Sequence, residues 1–306
     1  MDALVVERVC AEWSRTLDGL AFRGVRLDPA GVRVYFGPLR GSRGTIHALV
    51  ARWPEPLWLW LEESALPKER DRVAGTLRYD GTPLLRLDVP PGDRRLRLEL
   101  GRSDRPMGFL EIEAWPPGNI LLADPEKKIH WIARRRPTSS VRAALAPGLP
   151  YADPPAPFRK DPHGVTEADV AELLKSDGDL DEAELTRRLR HNWSGVAGPV
   201  GEELAVRLLE VHRTGGEDAV GAVTQAMRDW ANSTYAAEGR VLGLRWQDKH
   251  RSATLVSAGS ESLPRAGVEM LGPWANWEIA ARLLAAELPE ACLLYTSDAA
   301  DDSSVV

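Results

Sequence analysis

The sequence predicts an α+β fold in which a β-rich N-terminal part precedes a helical part. Short runs of apolar residues that alternate with polar ones, separated by Gly and Pro turns, fill residues 24–133. Apolar residues at helical spacing dominate residues 163–236 instead. Pro154 and Pro155 stand between the two patterns, and consecutive prolines end regular structure, so we expect a domain boundary there.

The elements of the β-rich part follow from these spacings. Trp13 and Leu17 continue an apolar stripe at helical spacing, which predicts a helix over 2–18, and a second, short helix is predicted over 66–78. Residues 109–114 alternate apolar and polar side chains and predict a half-buried strand. The predicted strands cover 25–27, 32–36, 45–50, 57–62, 84–89, 94–100, 109–114, 119–124 and 128–133.

The helical part begins at a recognisable signal. Thr166 and Asp169, three positions apart, form a near capping box and predict a helix start. The predicted helices cover 167–175, 181–191, 200–213 and 217–236. Further along, strands are predicted at 241–246 and 253–257 and a helix at 274–288.

We therefore divide the chain into four parts. Residues 1–158 form the β-rich domain, residues 163–236 the helical domain, and residues 237–291 the start of a middle region. Residues 292–306 have no periodicity and look like translated sequencing-adaptor read-through, so they are excluded from fold reasoning. We expect the natural protein to continue past about residue 291.

Composition limits the class of protein. Of the 306 residues, 43% are apolar and 27% charged, which is typical of a soluble globular chain. Cys10 and Cys292 are too far apart to indicate a disulfide framework or a paired-cysteine zinc site. No signal peptide and no apolar run of about 20 residues is found, so we expect a cytoplasmic protein without membrane contact. With a net charge of −6, binding to nucleic acid requires a local basic patch.

Signatures of enzyme chemistry are weak. The histidines lack zinc-site spacing, and neither a phosphate loop nor a nucleophile elbow occurs. Glu111 and Glu113 share one face of a predicted strand and could act as paired carboxylates in acid–base chemistry. We favour a solvated strand face for them. The expectation is a non-catalytic protein with no cofactor and no metal.

Asp93 and Arg94 lie at the turn that starts the predicted strand 94–100. A carboxylate beside a guanidinium can bind a phosphate, a ribose or a base edge. The alternative is an exposed turn pair that contributes about 0–1 kcal/mol to stability. Spacing alone favours the exposed turn.

Two other features could contact RNA. Arg134, Arg135 and Arg136 follow a strand that contains His130 and Trp131, and arginine beside an aromatic ring suits RNA; a solvated turn is equally compatible. Gly195 and Gly198 lie in a Gly-Val-Ala-Gly turn between two predicted helices, where backbone amides can approach a phosphate; a tight structural turn is the alternative. The other candidate cations are Arg142, Arg23, Arg26, Arg33, Arg40 and Arg43 for the first feature and Arg187, Arg188 and Arg190 for the second.

Taken in order, several short motifs resemble those of one family. They are Met1-Asp2-Ala3-Leu4, Leu77-Arg78, Gly92-Asp93-Arg94, Glu111 with Glu113, Asn119 to Asp124, and Pro147-Gly148-x-x-Tyr151-x-x-Pro154-Pro155. The sequence resembles the N-terminal NFACT domain of RqcH-like proteins, long labelled fibronectin-binding protein A. The resemblance covers roughly residues 1–158 and continues into the helical segment. It implies a fold like the N-terminal domain of formamidopyrimidine-DNA glycosylases, followed by a helix-hairpin-helix module at the Gly195–Gly198 turn.

The same resemblance implies a function. Members of this family bind a large ribosomal subunit obstructed by nascent peptidyl-tRNA, recruit tRNA, and support template-free tailing of the stalled chain. An Asp-Arg pair is required for the tRNA function, and it falls here on Asp93 and Arg94. Arg78, Arg134, Arg135 and Arg136 are further candidates for RNA contact. The residues expected to act as structural parts of the family motifs are Glu113, Asn119, Pro147, Gly148, Tyr151, Pro154 and Pro155.

Two alternative functions come with the resemblance. Formamidopyrimidine-DNA glycosylases repair DNA with an N-terminal proline followed by a glutamate, whereas this chain begins Met1-Asp2 and has no four-cysteine finger. The older family label implies an adhesin that binds fibronectin, which the absence of an export signal disfavours.

Overall fold

The structure is a computed structural model of the 306-residue chain. It describes residues 3–29, 31–52, 58–90, 93–114, 118–139, 142–154, 159–175, 180–196, 198–235, 241–246, 253–257 and 268–274. The expected α+β fold is confirmed: a large antiparallel sheet is followed by a helical region.

Within the described residues, the large sheet has nine strands in the order β4-β3-β2-β1-β5-β6-β7-β8-β9. Two antiparallel meanders, β1–β4 and β5–β9, meet where Ala21 and Phe22 of β1 pair with Pro83 and Thr82 of β5. The strands are β1 Ala21–Asp28, β2 Gly31–Gly37, β3 Ile46–Arg52, β4 Trp58–Ser64, β5 Thr82–Asp88, β6 Arg95–Arg102, β7 Arg105–Glu113, β8 Asn119–Ala123 and β9 Ile129–Ile132.

The helix α1, Ala3–Leu17, packs on one face of this sheet against β5 and β6. Trp13 and Leu17, which predicted the apolar stripe, are fully buried. They join the alternate residues of the strands, such as Leu98 and Ile112, in one apolar core. Burial of these side chains is the main contribution to the stability of the sheet.

The predicted helix over 66–78 is wrong. Two short 3-10 turns, Glu69–Asp71 and Ala74–Tyr79, take its place. Arg72 lies between them and donates from Nη1 to the carbonyl oxygen of Arg23 at 2.5 Å. Its Nη1 also lies 3.2 Å from Asp80 Oδ2. The bond to Arg23 ties the segment to β1, and the backbone there bonds to the sheet as well: Val73 N donates to Val25 O at 2.7 Å rather than to a carbonyl four residues earlier, as in an α-helix.

The segment 142–153 covers the second face of β7–β9. Leu145 and Tyr151 are buried there with Phe109, Leu121 and Ile129. Ile129 N donates to Leu149 O at 2.9 Å, and Gly148 N donates to Ile129 O at 2.7 Å, so the segment also bonds to the edge of β9. β7 and β8 are therefore buried on both faces, and the predicted half-burial of residues 109–114 is wrong because a loop supplies the second cover.

The helical region agrees with the sequence. The helices are α2 Glu167–Leu174, α3 Glu182–Asn192, α4 Gly198–Thr214 and α5 Ala219–Tyr235. The predicted capping box is present: Asp169 N donates to Thr166 Oγ1 at 3.2 Å, and Thr166 N donates to Asp169 Oδ2 at 3.1 Å. Leu189, Trp193 and Met227 are part of a second apolar core.

Three more strands, β10 Val241–Trp246, β11 Ala253–Ser257 and β12 Val268–Trp274, form a small sheet. The first two confirm the predicted strands. Apart from Trp274, the predicted helix over 274–288 lies outside the described residues, as does the proposed read-through tail 292–306. No helix among the described residues is long and apolar enough to cross a membrane.

Candidate functional site

One end of the large sheet brings several of the candidate residues together. Arg95 of β6 pairs with Glu113 of β7, and Glu113 pairs with Asn119 of β8. The Asn119 side chain then bonds to the backbone of Arg134: Nδ2 donates to Arg134 O at 2.9 Å, and Arg134 N donates to Oδ1 at 3.2 Å. Arg94 and Arg134, 40 positions apart in the sequence, therefore lie at the same end of the sheet.

Asp93 acts on the backbone of its own turn. Its carboxylate is mostly buried; Oδ1 accepts from Arg94 N at 2.7 Å, and Oδ2 lies 3.4 Å from Arg95 Nε. Burial raises the pKa of Asp93, against the opposing hydrogen bond from Arg94 N and the charge of Arg95. The ion pair of Asp93 is thus made with Arg95, so Asp93 is placed to orient Arg94.

Arg94 remains available to a ligand. Its backbone is fixed because Ala114 N donates to Arg94 O at 2.7 Å. Its side chain is half-exposed, and within the described part of the chain its guanidinium has no ion-pair partner. An unpaired guanidinium on a fixed backbone can offer two parallel donors to a phosphate.

The three consecutive arginines, 134–136, have different contacts. Arg136 Nη2 donates to Gly118 O at 3.1 Å, and the Arg136 backbone pairs with Leu145, so this residue holds the sheet end to the covering segment. Arg134 is held by Asn119. Arg135 is exposed, with no ion-pair partner among the residues that the structure describes. Among the residues described at this end of the sheet, Arg94 and Arg135 are therefore cations that lie unpaired and accessible to solvent.

Glu111 and Glu113 are not a solvated strand face, contrary to the interpretation of the sequence. Both side chains are fully buried beneath the segment 142–153. Arg97 Nε donates to Glu111 Oε2 at 2.7 Å, and Arg95 Nε lies 3.3 Å from Glu111 Oε1. Burial raises the pKa of Glu111 to about 7, although the charges of both arginines act in the opposite direction.

Glu113 connects the covering segment to the sheet. Arg142 Nη2 donates to Glu113 Oε1 at 2.5 Å, and the Tyr151 hydroxyl donates to the same oxygen at 3.1 Å. Burial raises the pKa of Tyr151 well above its usual value, so its hydroxyl keeps the proton that it donates. Arg142 is thereby committed to the interior and does not join a surface patch.

Asp153 fastens the end of the covering segment. It accepts from Arg95 Nη1 at 2.7 Å and from Arg97 Nη2 at 3.3 Å, and it pairs with Lys127. Burial opposes ionisation, but the Lys127 hydrogen bond and the arginine charges outweigh it and lower the pKa of Asp153. Sequence reasoning missed Arg95 and Arg97, which resembled the charged face of an ordinary exposed strand.

The family-motif residues of the covering segment have structural roles. Gly148 has φ +89°, a left-handed conformation that favours glycine, and it turns the chain after Pro147 back onto β9. The Tyr151 ring packs edge-on against Phe109 with 6.1 Å between ring centroids. Pro154 is the last described residue of the segment, and Pro155 lies outside the described residues.

Arg78 is not brought to Asp93. It lies near the start of β9, at the opposite end of the sheet, where its Nη1 is 2.9 Å from His130 Nδ1. His130 Nε2 is 2.9 Å from Asp124 Oδ2. Burial opposes ionisation of Asp124, but hydrogen bonds with Lys128 N and His130, together with the charge of Arg78, outweigh it and lower the pKa of Asp124.

Three arginines of the β1–β2 region are also unsuited to a free basic patch. Arg23 Nε lies 3.2 Å from Asp80 Oδ1 and Arg26 Nε 2.9 Å from Asp28 Oδ1. Arg33 pairs with Asp28 at 2.8 Å and with Glu62 at 3.0 Å. Each of these cations is thus matched by a carboxylate, from the sheet itself for Arg26 and Arg33 and from the turn before β5 for Arg23.

The helical turn has the predicted glycines but not the predicted free cations. Gly195 has φ +76°, and Gly198 begins α4. Arg187 and Arg188 both bind Glu184 at 2.7 Å, and Arg190 Nη2 lies 3.4 Å from Glu202 Oε1. The arginines expected to support phosphate binding are therefore neutralised on α3 and α4.

Among the described residues, no group of three or more His, Cys, Asp and Glu side chains comes together as a metal site.

Comparisons with known proteins identify the fold. Neither a protein-family model nor a curated protein matches the sequence. The N-terminal part of the fibronectin/fibrinogen-binding protein FBPS from Streptococcus suis matches with a TM-score of 0.64 and 18% identity, over 94% of this chain and 99% of that one. The fibrinogen-binding protein from Staphylococcus aureus matches with a TM-score of 0.60 and 15% identity, over 84% of this chain and 89% of that one. The N-terminal domain of the fibronectin-binding protein PavA from Streptococcus pneumoniae matches with a TM-score of 0.55 and 16% identity, over 94% of this chain and 98% of that one.

At these identities the comparisons establish the fold. The chain has the fold of the N-terminal region of fibronectin/fibrinogen-binding proteins over nearly its whole length. The resemblance indicated by the motifs of the β-rich part is thereby confirmed at the level of fold.

Proposed function

We propose that this protein is a non-catalytic, RNA-binding factor of the NFACT kind that acts in ribosome quality control in the cytoplasm. It would bind large ribosomal subunits obstructed by peptidyl-tRNA, recruit tRNA, and support template-free C-terminal tailing of the stalled chain. The observation that carries the proposal is the unpaired guanidinium of Arg94, whose backbone N–H donates to the buried Asp93, on the fold that the Asp-Arg motif resemblance implied.

In this proposal the two residues have different roles. Arg94 contacts a phosphate or ribose of the tRNA, because its guanidinium is the group without an internal partner. Asp93 positions it by accepting from Arg94 N and by pairing with Arg95. Arg135 lies at the same sheet end and adds a second cation for the RNA backbone.

The test is the substitution Arg94→Gln. We expect tRNA affinity to fall about tenfold or more, because a hydrogen bond to a charged group contributes about 1.5–3 kcal/mol. Fluorescence anisotropy with labelled tRNA and co-sedimentation with obstructed large subunits measure the effect. Arg86→Gln is the matched control, since Arg86 is 61% exposed but already paired with Asp88 and Glu99.

Asp93→Ala is a less informative variant. It removes the acceptor of Arg94 N, so a loss of stability is expected together with any loss of binding. An Arg94→Gln protein with unchanged melting temperature and unchanged tRNA affinity would refute the assigned role. Parallel assays with fibronectin and duplex DNA separate the adhesin and DNA-repair alternatives: binding to either of these, with none to tRNA, would replace the proposal.

A further inference from the structure

The end of the sheet opposite to Arg94 carries a second group of cations. Gly37 of β2 pairs with Ala21 of β1, and Phe22 pairs with Thr82 of β5. Leu84 of β5 pairs with Leu100 of β6. This register brings the β2–β3 loop and the β6–β7 hairpin to the same end, although they are about 60 positions apart in the sequence.

Both loops present exposed arginines without partners. Arg40 and Arg43 lie in the exposed loop 39–45, and Arg102 and Arg105 lie in the exposed hairpin 102–107. Within the described residues, none of these four guanidiniums has an ion pair or a hydrogen bond. They differ in this from Arg23, Arg26 and Arg33, which are paired in the same sheet.

The hairpin places two of these charges directly opposite each other. Arg102 and Arg105 are cross-strand partners at the end of the β6–β7 ladder. Like charges in this position destabilise a sheet by a few tenths of a kcal/mol or more. Gly101 fixes the arrangement: it has φ +140°, and a Cβ there would lie 2.6 Å from Arg105 O. A bound anion would relieve the repulsion that this backbone imposes.

Side-chain contacts through the turn before β5 connect the two loops. The Arg40 side chain packs against Gly81, in the turn that precedes β5. The next residue, Thr82, donates from Oγ1 to the sulfur of Met107 at 3.8 Å. Met107 and Leu39, each 43% exposed, flank the arginines. We call the surface of Arg40, Arg43, Arg102 and Arg105 the tip patch.

We propose that the tip patch binds the phosphate backbone of RNA, as a second contact separate from Arg94. The β2 and β6 ends that carry it are three strand spacings apart, about 14 Å, which is wide enough for one RNA strand to place more than one phosphate on it. β6 alone separates the two sites by about 24 Å, so one RNA contact at each end lets the domain bridge two RNA segments. A polyanion fits best because the chain has a net charge of −6 yet leaves these four arginines unpaired.

The inference rests on the proposed RNA function but not on the role of Arg94, and one set of variants separates them. The patch variant replaces all four tip-patch arginines by Gln. The matched control replaces by Gln four cations that are also exposed but already have carboxylate partners: Arg70, Arg86, Lys175 and Arg187. Each protein, with wild type and Arg94→Gln, is titrated with fluorescein-labelled oligouridylate and with labelled tRNA across a series of KCl concentrations.

The patch variant is expected to bind both RNAs about tenfold more weakly at low salt, while the charge-matched control changes much less. Its plot of log K against log salt should be shallower by about 0.7 for each lost single-strand contact. Equal loss in the patch variant and the control would overturn the proposal, because the effect would then be one of net charge. Unchanged RNA binding by the patch variant would also overturn the proposal. The same holds if the tip patch binds polyglutamate and the protein does not bind RNA.

Failure of the two proposals is distinguishable in the same data. If Arg94→Gln binds like wild type while the patch variant does not, the tip patch stands and the Arg94 assignment fails. If the patch variant binds like wild type while Arg94→Gln does not, the tip-patch proposal alone fails. Absence of RNA binding by the wild-type protein overturns both.

Discussion

At the scale of single residues, the two glutamates of β7 show that a local sequence pattern predicts a strand but not its burial. Alternation along 109–114 predicted the strand correctly, since alternation depends on neighbours in the chain. It could not predict the burial of Glu111, because the cover comes from a segment about 30–40 positions away. Arg95 and Arg97 make that burial tolerable by pairing with the carboxylate.

The raised pKa of Glu111 gives a pH dependence of stability. Its pKa rises from 4.5 to about 7 on folding, so between these values the unfolded chain loses the proton while the folded protein keeps it. The Glu111 contribution to the free energy of unfolding is therefore complete below about pH 4.5 and is lost as the pH rises to about 7. The loss is at most about 3.5 kcal/mol.

Urea denaturation of wild type and Glu111→Gln between these pH values tests this. The difference between their free energies of unfolding should change with pH in that window and become flat above it. Glu126→Gln, at an exposed position, serves as the control and should follow the wild type. A Glu111→Gln curve parallel to the wild-type curve throughout would contradict the assignment.

At the scale of elements, the segment 142–153, which precedes the domain boundary predicted at Pro154 and Pro155, is a structural cover of the sheet. The prolines and glycine correctly predicted irregular backbone. Leu145 and Tyr151 are nevertheless fully part of the interior. The predicted helix over 66–78 failed for a related reason: Arg72 bonds to β1, a partner that local periodicity does not reveal.

Tyr151→Phe measures what the cover contributes through one hydrogen bond. The ring keeps its contact with Phe109, but the buried Glu113 loses a donor, so we expect a loss of about 1–3 kcal/mol in the free energy of unfolding. Tyr79→Phe is the matched control, because the buried Tyr79 hydroxyl has no hydrogen-bond partner. Equal effects of the two substitutions would show that the Tyr151 hydroxyl contributes nothing specific.

At the scale of the whole molecule, the apolar residues form separate cores in the two regions. The core of the sheet draws on residues between Val6 and Trp131, and that of the helical region on residues between Val165 and Met227. The order of strands and helices was predictable from periodicity. The identity of the free arginines was not, because it depends on which carboxylates the fold brings near, as Asp80 near Arg23 shows.

Because the core of the sheet and its cover both lie before residue 154, we expect residues 1–158 to fold alone. Circular dichroism should show a β-rich spectrum, and urea should unfold the fragment in one cooperative transition. The same fragment ending at residue 140 is the informative comparison, since it lacks the cover and should be much less stable. A non-cooperative transition in the 1–158 fragment would place the domain boundary elsewhere.

The position of the cover also has a consequence during synthesis. Arg142, Tyr151 and Asp153 follow every strand of the large sheet in the chain. A nascent polypeptide that has emerged only as far as β9 can pair all nine strands, but its two β7 carboxylates still lie on an open face. The next twenty or so residues to emerge supply Arg142, Tyr151 and Asp153, which cover that face. Folding of the domain is therefore completed only when these three residues have left the ribosome.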